Sequence, residues 1–207
     1  YGNVISYSPT FGYDICSRRV SSQTHVSERF DLSHWRLAGN GADMIRPDVM
    51  QAFVDAFGDA GFKASSFLPS YGLAEATLAV SIMPPGEGIE VELVEETELT
   101  GHAGPQDRPT RYRAIVNCGK AVKDMTIEVR DENRQPLADK TIGKVWCSGP
   151  SLMKEYFRDK ESTEACLVDG WLDTGDMGYL SNGYIFIVGR AKDMIIINGK
   201  NHWPQDI

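Results

Sequence analysis

Trp35-Arg-Leu-Ala-Gly-Asn-Gly-Ala-Asp-Met-Ile-Arg-Pro-Asp-Val-Met-Gln-Ala-Phe-Val-Asp-Ala-Phe57 changes its hydrophobic period part-way along, and that change decides the fold class. Trp35 to Ala38 is a short, mostly apolar run that meets Gly39-Asn40-Gly41, the pattern of a strand entering a tight turn. From Pro47 onward, Val49, Met50, Phe53, Val54 and Phe57 recur at helical intervals. Pro47 suits a first helical turn, where its missing N–H has no partner to lose, and Gly58 and Gly61 offer places to stop. Strand, turn and helix in this order predict a βα unit of an α/β sheet.

Downstream, Phe67-Leu68-Pro69 leads into Tyr71-Gly-Leu-Ala-Glu-Ala-Thr-Leu-Ala-Val80, small and apolar residues that carry one acid, Glu75. Between Pro84 and Asn117 the composition shifts to Pro, Gly, Glu and Thr, with short alternations at Ile89–Val94 and Tyr112–Val116, which reads as an insertion or boundary. The pattern is then mostly β: Met125–Val129, Gly143–Cys147, Met177–Leu180 and Tyr184–Val188. The last two flank Asn182-Gly183, a strong hairpin signal. A mixed α/β chain is therefore expected, an α/β layer over 1–85 followed by a β-rich part over 86–190 that forms a small antiparallel sheet or distorted barrel. A polar joint at Gly189–Asp193 precedes a new strand, Met194–Ile197, so 191–207 is expected to open a further unit.

Composition narrows the function. Apolar residues make up 42% and charged residues 24% of 207, as in an ordinary globular protein. Acidic residues exceed basic ones by 29 to 21, a formal charge of −8, and no Lys/Arg run could track a nucleic-acid backbone. An anionic ligand must then be held by local groups, which points to a small molecule. Cys16, Cys118, Cys147 and Cys166 are widely spaced and the four histidines are not at metal-ligand spacing, so neither zinc nor a disulfide scaffold is expected. Reduced thiols in a cytoplasmic protein are the expectation, with no transmembrane segment, since no apolar stretch approaches about 20 residues.

Taken singly, the candidate motifs have plain readings: Gly39–Gly41 as a turn, Gly170-Trp-Leu-Asp-Thr-Gly-Asp176 as a surface turn with solvated acids, Arg190 and Lys192 as a solvated pair. Together they hold what nucleotide chemistry on a carboxylic acid needs. Glu75 is a hard oxygen donor suited to Mg²⁺. Asp176 can accept both hydroxyls of a ribose diol, and Arg190 offers a planar fork of donors. Tyr71 supplies a ring for a purine, with Gly41 and Ala42 small enough to let backbone approach its edge.

Tyr71-Gly-Leu-Ala-Glu-Ala-Thr-Leu, Gly170-Trp-Leu-Asp-Thr-Gly-Asp-Met-Gly-Tyr and Gly189-Arg-Ala-Lys-Asp, in this order, resemble the core motifs of the adenylate-forming superfamily. Within it, Asn40-Gly-Ala-Asp, Leu68–Ser81 and Gly199-Lys-Asn-His-Trp-Pro-Gln-Asp-Ile207 look most like the fatty acyl-AMP ligases, and Tyr7–Cys16 is similar to the segment lining their acyl tunnel.

The resemblance implies that Gly41, Ala42 and Asp43 edge the adenine of ATP or AMP, with Tyr71 and Gly72 beside it. It implies that Glu75 is the catalytic residue that binds Mg²⁺, that Asp176 reads the ribose and that Arg190 meets the ribose or α-phosphate. Phe11 would wall the acyl site, and Asp193 falls at the hinge of a small C-terminal domain. The implied substrate is a fatty acid, and the implied acceptor is the phosphopantetheine thiol of an acyl carrier protein or carrier domain. Rival readings are a long-chain acyl-CoA synthetase and a truncated nucleotide-binding module without turnover. The family's insertion, thought to disfavour coenzyme A, matches 84–117. Both termini read as cut, and the family's phosphate loop and catalytic lysine would lie before Tyr1 and after Ile207, so this stretch alone is expected to be inactive.

Overall fold

The computed structural model describes residues 3–20, 26–95, 99, 111–197 and 200–202. Its first part is a β-α-β-α-β run: β1 (Val4–Ser8), α1 (Thr10–Val20), the short α2 (Val26–Arg29), β2 (Trp35–Asn40), α3 (Pro47–Phe57) and β3 (Phe67–Gly72). β1, β2 and β3 are mutually parallel neighbours, as the βα signal predicts. The helix α3 begins at Pro47, and a 3-10 turn over Gly58–Ala60 carries the chain to Gly61. β1 and α1 go beyond the elements that the periodicity predicts.

α1 buries Thr10, Tyr13, Ser17 and Val20, and α3 buries Val49, Met50, Phe53 and Phe57, each set on one helical face. Between them and the sheet sits an aromatic cluster with edge-on contacts, Tyr13 to Phe53 at 5.1 Å and Phe53 to Phe62 at 4.9 Å between centroids. The Tyr13 hydroxyl donates to the Gly39 carbonyl at 2.9 Å, so its one polar atom is satisfied.

At Pro69 the sheet changes character. β3 pairs in parallel with β2 over Phe67–Pro69 and then antiparallel with β4 (Ala79–Ile82) over Ser70–Gly72. Pro69 has no amide to donate, so the hand-over falls where a ladder bond would be missing anyway. Beyond β4 come β5 (Val91–Glu95), β6 (Tyr112–Ala121), β7 (Thr126–Arg130), β8 (Gly143–Ser148), α4 (Lys160–Cys166), β9 (Leu167–Val168), β10 (Trp171–Ser181) and β11 (Tyr184–Arg190).

All these strands join one 11-stranded sheet with the path β1-β2-β3-β4-β6-β11-β10-β8-β7, β5 and β9 pairing beside it. The class is mixed α/β, and among the described residues the path is open rather than closed into a barrel. One buried core runs from Tyr13 on α1 to Ile185 on β11, while Phe186 and Val188 face a second cluster with Ile115 and Tyr179. β11 is thus buried on both faces. The 84–117 stretch is described only in part; its described residues include β5, paired with β6, and 96–98 and 100–110 lie outside.

The hairpin at Asn182-Gly183 is as predicted: both residues have positive φ (52° and 79°), and Ser181 pairs with Tyr184. After β11, a 3-10 turn over Ala191–Asp193 leads to β12 (Ile195–Ile197) and β13 (Lys200–His202), which pair with each other in a separate two-stranded sheet. Among the described residues no helix is long and apolar enough to cross a membrane. All four cysteines are free, and Cys118 and Cys147 are buried.

Candidate functional site

Asp176 lies near the middle of β10, not in a surface turn. It is only 7% exposed, so the reading of Gly170–Asp176 as a bend with solvated acids does not hold for this residue. A buried carboxylate must be paired or hydrogen-bonded, and Asp176 is both. Arg190 Nε donates to its Oδ1 at 2.9 Å, and the Tyr71 hydroxyl donates to its Oδ2 at 2.6 Å. Arg190 Nη2 also donates to the Thr174 carbonyl at 3.2 Å, and the Asp176 amide donates to Thr174 Oγ1 at 3.2 Å.

Strand register explains the pairing. Counting back from the turn, Ser181 faces Tyr184 and Gly178 faces Ile187, but Met177 faces Gly189 and Asp176 faces Arg190. One extra residue, Val188, is therefore accommodated on β11 as a bulge. Had the register of Ser181–Gly178 run on unbroken, with Val188 paired to Met177, Asp176 would face Gly189, and the acid and the guanidinium would lose their cross-strand contact.

The electrostatics follow from these contacts. Asp176 holds the Arg190 guanidinium above its ordinary value, so it is a fixed cation. Burial, reinforced by the Asp176 charge, holds the Tyr71 phenol well above its usual range, so it acts as a donor. Tyr71 is 9% exposed with its hydroxyl committed to Asp176, a use that its ring alone does not suggest.

Glu75 sits in a 3-10 turn, Ala74–Ala76, just past the end of β3, and is half-buried. It makes no direct bond to Asp176; its Oε1 accepts from the Tyr156 hydroxyl at 2.6 Å. The buried Cys147 thiol on β8 senses both acids: burial pushes it up to about 12, with Asp176 and then Glu75 adding in the same direction. Glu75 follows Tyr71 by four residues, just past the end of the strand whose Tyr71 hydroxyl holds Asp176, so the two carboxylates flank the same strand end. Among the described residues no cluster of three or more His, Cys, Asp or Glu could cage a metal. Mg²⁺ does not require one, since it keeps several waters and takes one or two carboxylates beside phosphate oxygens, a role that fits Glu75 with its second oxygen open.

The Gly41–Asp43 turn follows β2 directly. A Cβ at Gly41 would come within 2.8 Å of the Ser70 carbonyl, so the close approach of β2 and β3 requires glycine there. Ala42 is exposed with φ 70°, a strained setting for a side chain. Asp43 Oδ1 accepts from the Thr10 amide at 2.9 Å, so its carboxylate caps the first turn of α1. Phe11 stands 61% exposed on α1, and Asp193 is exposed at the end of the turn leaving β11. The structure thus joins Tyr71, Asp176 and Arg190, sets Glu75 nearby, and puts Gly41–Asp43 on the adjoining strand end. Thr174, Cys147 and Tyr156 are additions that no sequence period signals. A cavity of about 680 Å³ between α1 and α3, lined by Asp14, Arg18, Asp55 and Asp59 among others, shares no residue with this cluster.

A sequence model described as "AMP-binding enzyme" matches residues 3–157. The chain belongs to the AMP-binding enzyme family. Among its members, a Caulobacter vibrioides protein whose name gives acyl-CoA synthetase as a provisional assignment is 48% identical over 98% of this chain and 36% of its own length. A medium-chain-fatty-acid–[acyl-carrier-protein] ligase of Moorena producens is 34% identical over 98% of this chain and 36% of its own. A chain from a structural study of fatty acyl-adenylate ligases of E. coli and L. pneumophila superposes with a TM-score of 0.87 at 42% identity, covering 98% of this chain and 37% of that one. The chain thus spans a little over a third of the length of the relatives it matches.

Proposed function

We propose that this chain forms the nucleotide-holding part of an ATP-dependent ligase that activates a fatty acid for a carrier-protein thiol. The observation that carries the reading is the Tyr71–Asp176–Arg190 cluster, three residues far apart in sequence brought into direct contact beside Glu75. Asp176 is fixed through both oxygens by a phenol and a guanidinium, a rigid acceptor for a ribose diol. Arg190, about half exposed, keeps donors for a ribose or α-phosphate oxygen.

In the proposed reaction a fatty carboxylate oxygen attacks the α-phosphorus of ATP, the bond to the bridging oxygen breaks, and pyrophosphate leaves. The acyl-adenylate then gives its acyl group to a phosphopantetheine thiol, releasing AMP and a proton. Mg²⁺, when bound, neutralises phosphate charge; Glu75 would hold it. Gly41, Ala42, Asp43 and Gly72 would border the adenine and Phe11 the acyl chain. Asp193, at the junction to the separate β12–β13 sheet, would serve as the hinge. The 84–117 stretch would disfavour coenzyme A.

The test is fatty-acid-dependent exchange of pyrophosphate into ATP by the complete protein, with AMP affinity measured alongside. Asp176→Ala should weaken AMP binding about 10- to 100-fold through loss of two hydrogen bonds to the diol. Unchanged affinity would defeat the reading. The name of the Caulobacter relative favours a second reading, an acyl-CoA synthetase; transfer to coenzyme A rather than to carrier protein decides for it.

A further inference from the structure

Glu75 is not a free-standing acid at the end of β3. The segment Glu75–Thr77 is tied to the loop between β8 and α4 at three points: the Met153 amide donates to the Glu75 carbonyl at 2.6 Å, Thr77 Oγ1 donates to the Ser151 carbonyl at 2.9 Å, and the Tyr156 hydroxyl donates to Glu75 Oε1 at 2.6 Å. Thr77 holds φ 68° and ψ −52°, close to a γ-turn that β-branched residues avoid, so the surrounding bonds must hold the turn in place.

Tyr156 is itself anchored. Its amide donates to Thr163 Oγ1 at 2.9 Å in α4, and that hydroxyl donates to the Asp159 carbonyl at 2.7 Å. Asp159 in turn caps α4, accepting from the Ser162 amide at 3.0 Å. A short helix thus fixes the backbone from which the phenol reaches across to Glu75, 81 residues away in sequence.

We propose that Tyr156 is a positioning residue for Glu75: its phenol fixes one carboxylate oxygen so that only Oε2 faces a divalent cation, in a set rotamer and as a single-oxygen ligand. This rests on the reading of Glu75 as the acid that meets the metal. The chemistry favours it, because the oxygen that accepts from the phenol shares its charge and is held at a fixed angle while Oε2 keeps both lone pairs, and a small octahedral ion tolerates one donor at a defined angle better than a wide chelate. Among the described residues, no donor is bonded to Oε2. Freed from Tyr156, Glu75 would sample other rotamers, and each metal-binding event would have to order it again.

The experiment titrates Mn²⁺ into the complete protein with ATP and no fatty acid, following free Mn²⁺ by electron paramagnetic resonance. Tyr156→Phe keeps the ring and removes only the donor; it should weaken Mn²⁺ binding about tenfold, the usual effect of losing a partner that orients a metal ligand. AMP affinity without metal should not move. Tyr156→Ala should match Tyr156→Phe within about twofold if the hydroxyl is what matters. Wild-type Mn²⁺ affinity in Tyr156→Phe with loss in Tyr156→Ala would assign the side chain to packing and overturn the proposal. Glu75→Gln separates this from the reading beneath it. If Glu75→Gln loses Mn²⁺ affinity and Tyr156→Phe does not, the positioning role fails alone; if Glu75→Gln binds Mn²⁺ normally, Glu75 is not the ligand and both fall.

Discussion

The Tyr71 hydroxyl donates to Asp176 Oδ2 at 2.6 Å across 105 residues of sequence, joining β3 to β10 through a buried acid. Tyr71→Phe would leave that oxygen without its donor in a site where water is scarce. Losing a hydrogen bond to a charged group costs about 1.5–3 kcal/mol. Denaturant unfolding should show a lower midpoint with an unchanged slope. Tyr71→Phe should also weaken AMP binding, because Asp176 would be held by Arg190 alone.

The βα unit at Trp35–Phe57 and the hairpin at Asn182-Gly183 were legible because local chemistry dictates them: hydrophobic period in one, a two-residue turn with positive φ in the other. The candidate site was legible as residue types but not as contacts. The Val188 bulge that sets Arg190 against Asp176 has no local signal, since one extra residue in a strand leaves the alternation nearly intact. Nor does sequence distinguish an acid that edges a ligand from one that caps a helix. Asp43 bonds Thr10 across 33 residues, a relation that only the folded sheet creates.

That cap gives a second prediction. Asp43→Ala removes the acceptor for the first amide of α1 and should cost about 1 kcal/mol of stability, the usual loss for a helix cap. The measurement is a thermal or denaturant unfolding curve. A fall in AMP affinity out of proportion to this loss would show that the carboxylate also meets the adenine.

The turn offers a third. Gly183 has φ 79° and open space where a Cβ would stand, with no atom within 4 Å, so Gly183→Ala meets no clash and only backbone strain. The left-handed setting costs an alanine about 1–2 kcal/mol. Asn182→Gly, by contrast, keeps a residue at ease with positive φ and should change stability little. Since this turn starts the register that ends at Asp176 and Arg190, Gly183→Ala should also lower AMP affinity if the hairpin slips, and leave it alone if only strain is added.

A fourth prediction concerns alkaline pH. Burial pushes the Cys118 thiol from an ordinary value of 9.0 up to about 12. Below pH 9 both the folded and unfolded chains keep this proton, so the contribution is fully present. Between pH 9 and 12 the unfolded chain releases it while the folded chain retains it, so the unfolded state binds fewer protons and stability falls as pH rises. One such group contributes a slope of about 1.4 kcal/mol per pH unit. Cys147, raised in the same way, steepens the same limb. Cys118→Ala should flatten the fall in unfolding free energy by about one proton's worth over this range; an unchanged slope would mean that the thiol ionises freely in the fold.

Arg190 separates charge from geometry at the site. Its Nε and Nη2 reach Asp176 and the Thr174 carbonyl at once, a fork that a single ammonium cannot reproduce. Arg190→Lys keeps the positive charge beside Asp176 but replaces the two-nitrogen planar fork with a single nitrogen. If the site works through net charge, Arg190→Lys should bind AMP like the wild type and Arg190→Met should fail. If it works through the planar fork, as the two bonds indicate, Arg190→Lys should lose about tenfold in AMP affinity, equivalent to about 1.4 kcal/mol, and Arg190→Met somewhat more. Calorimetric titration of AMP into the three proteins decides between these orders, because only the fork account puts lysine nearer to methionine than to arginine.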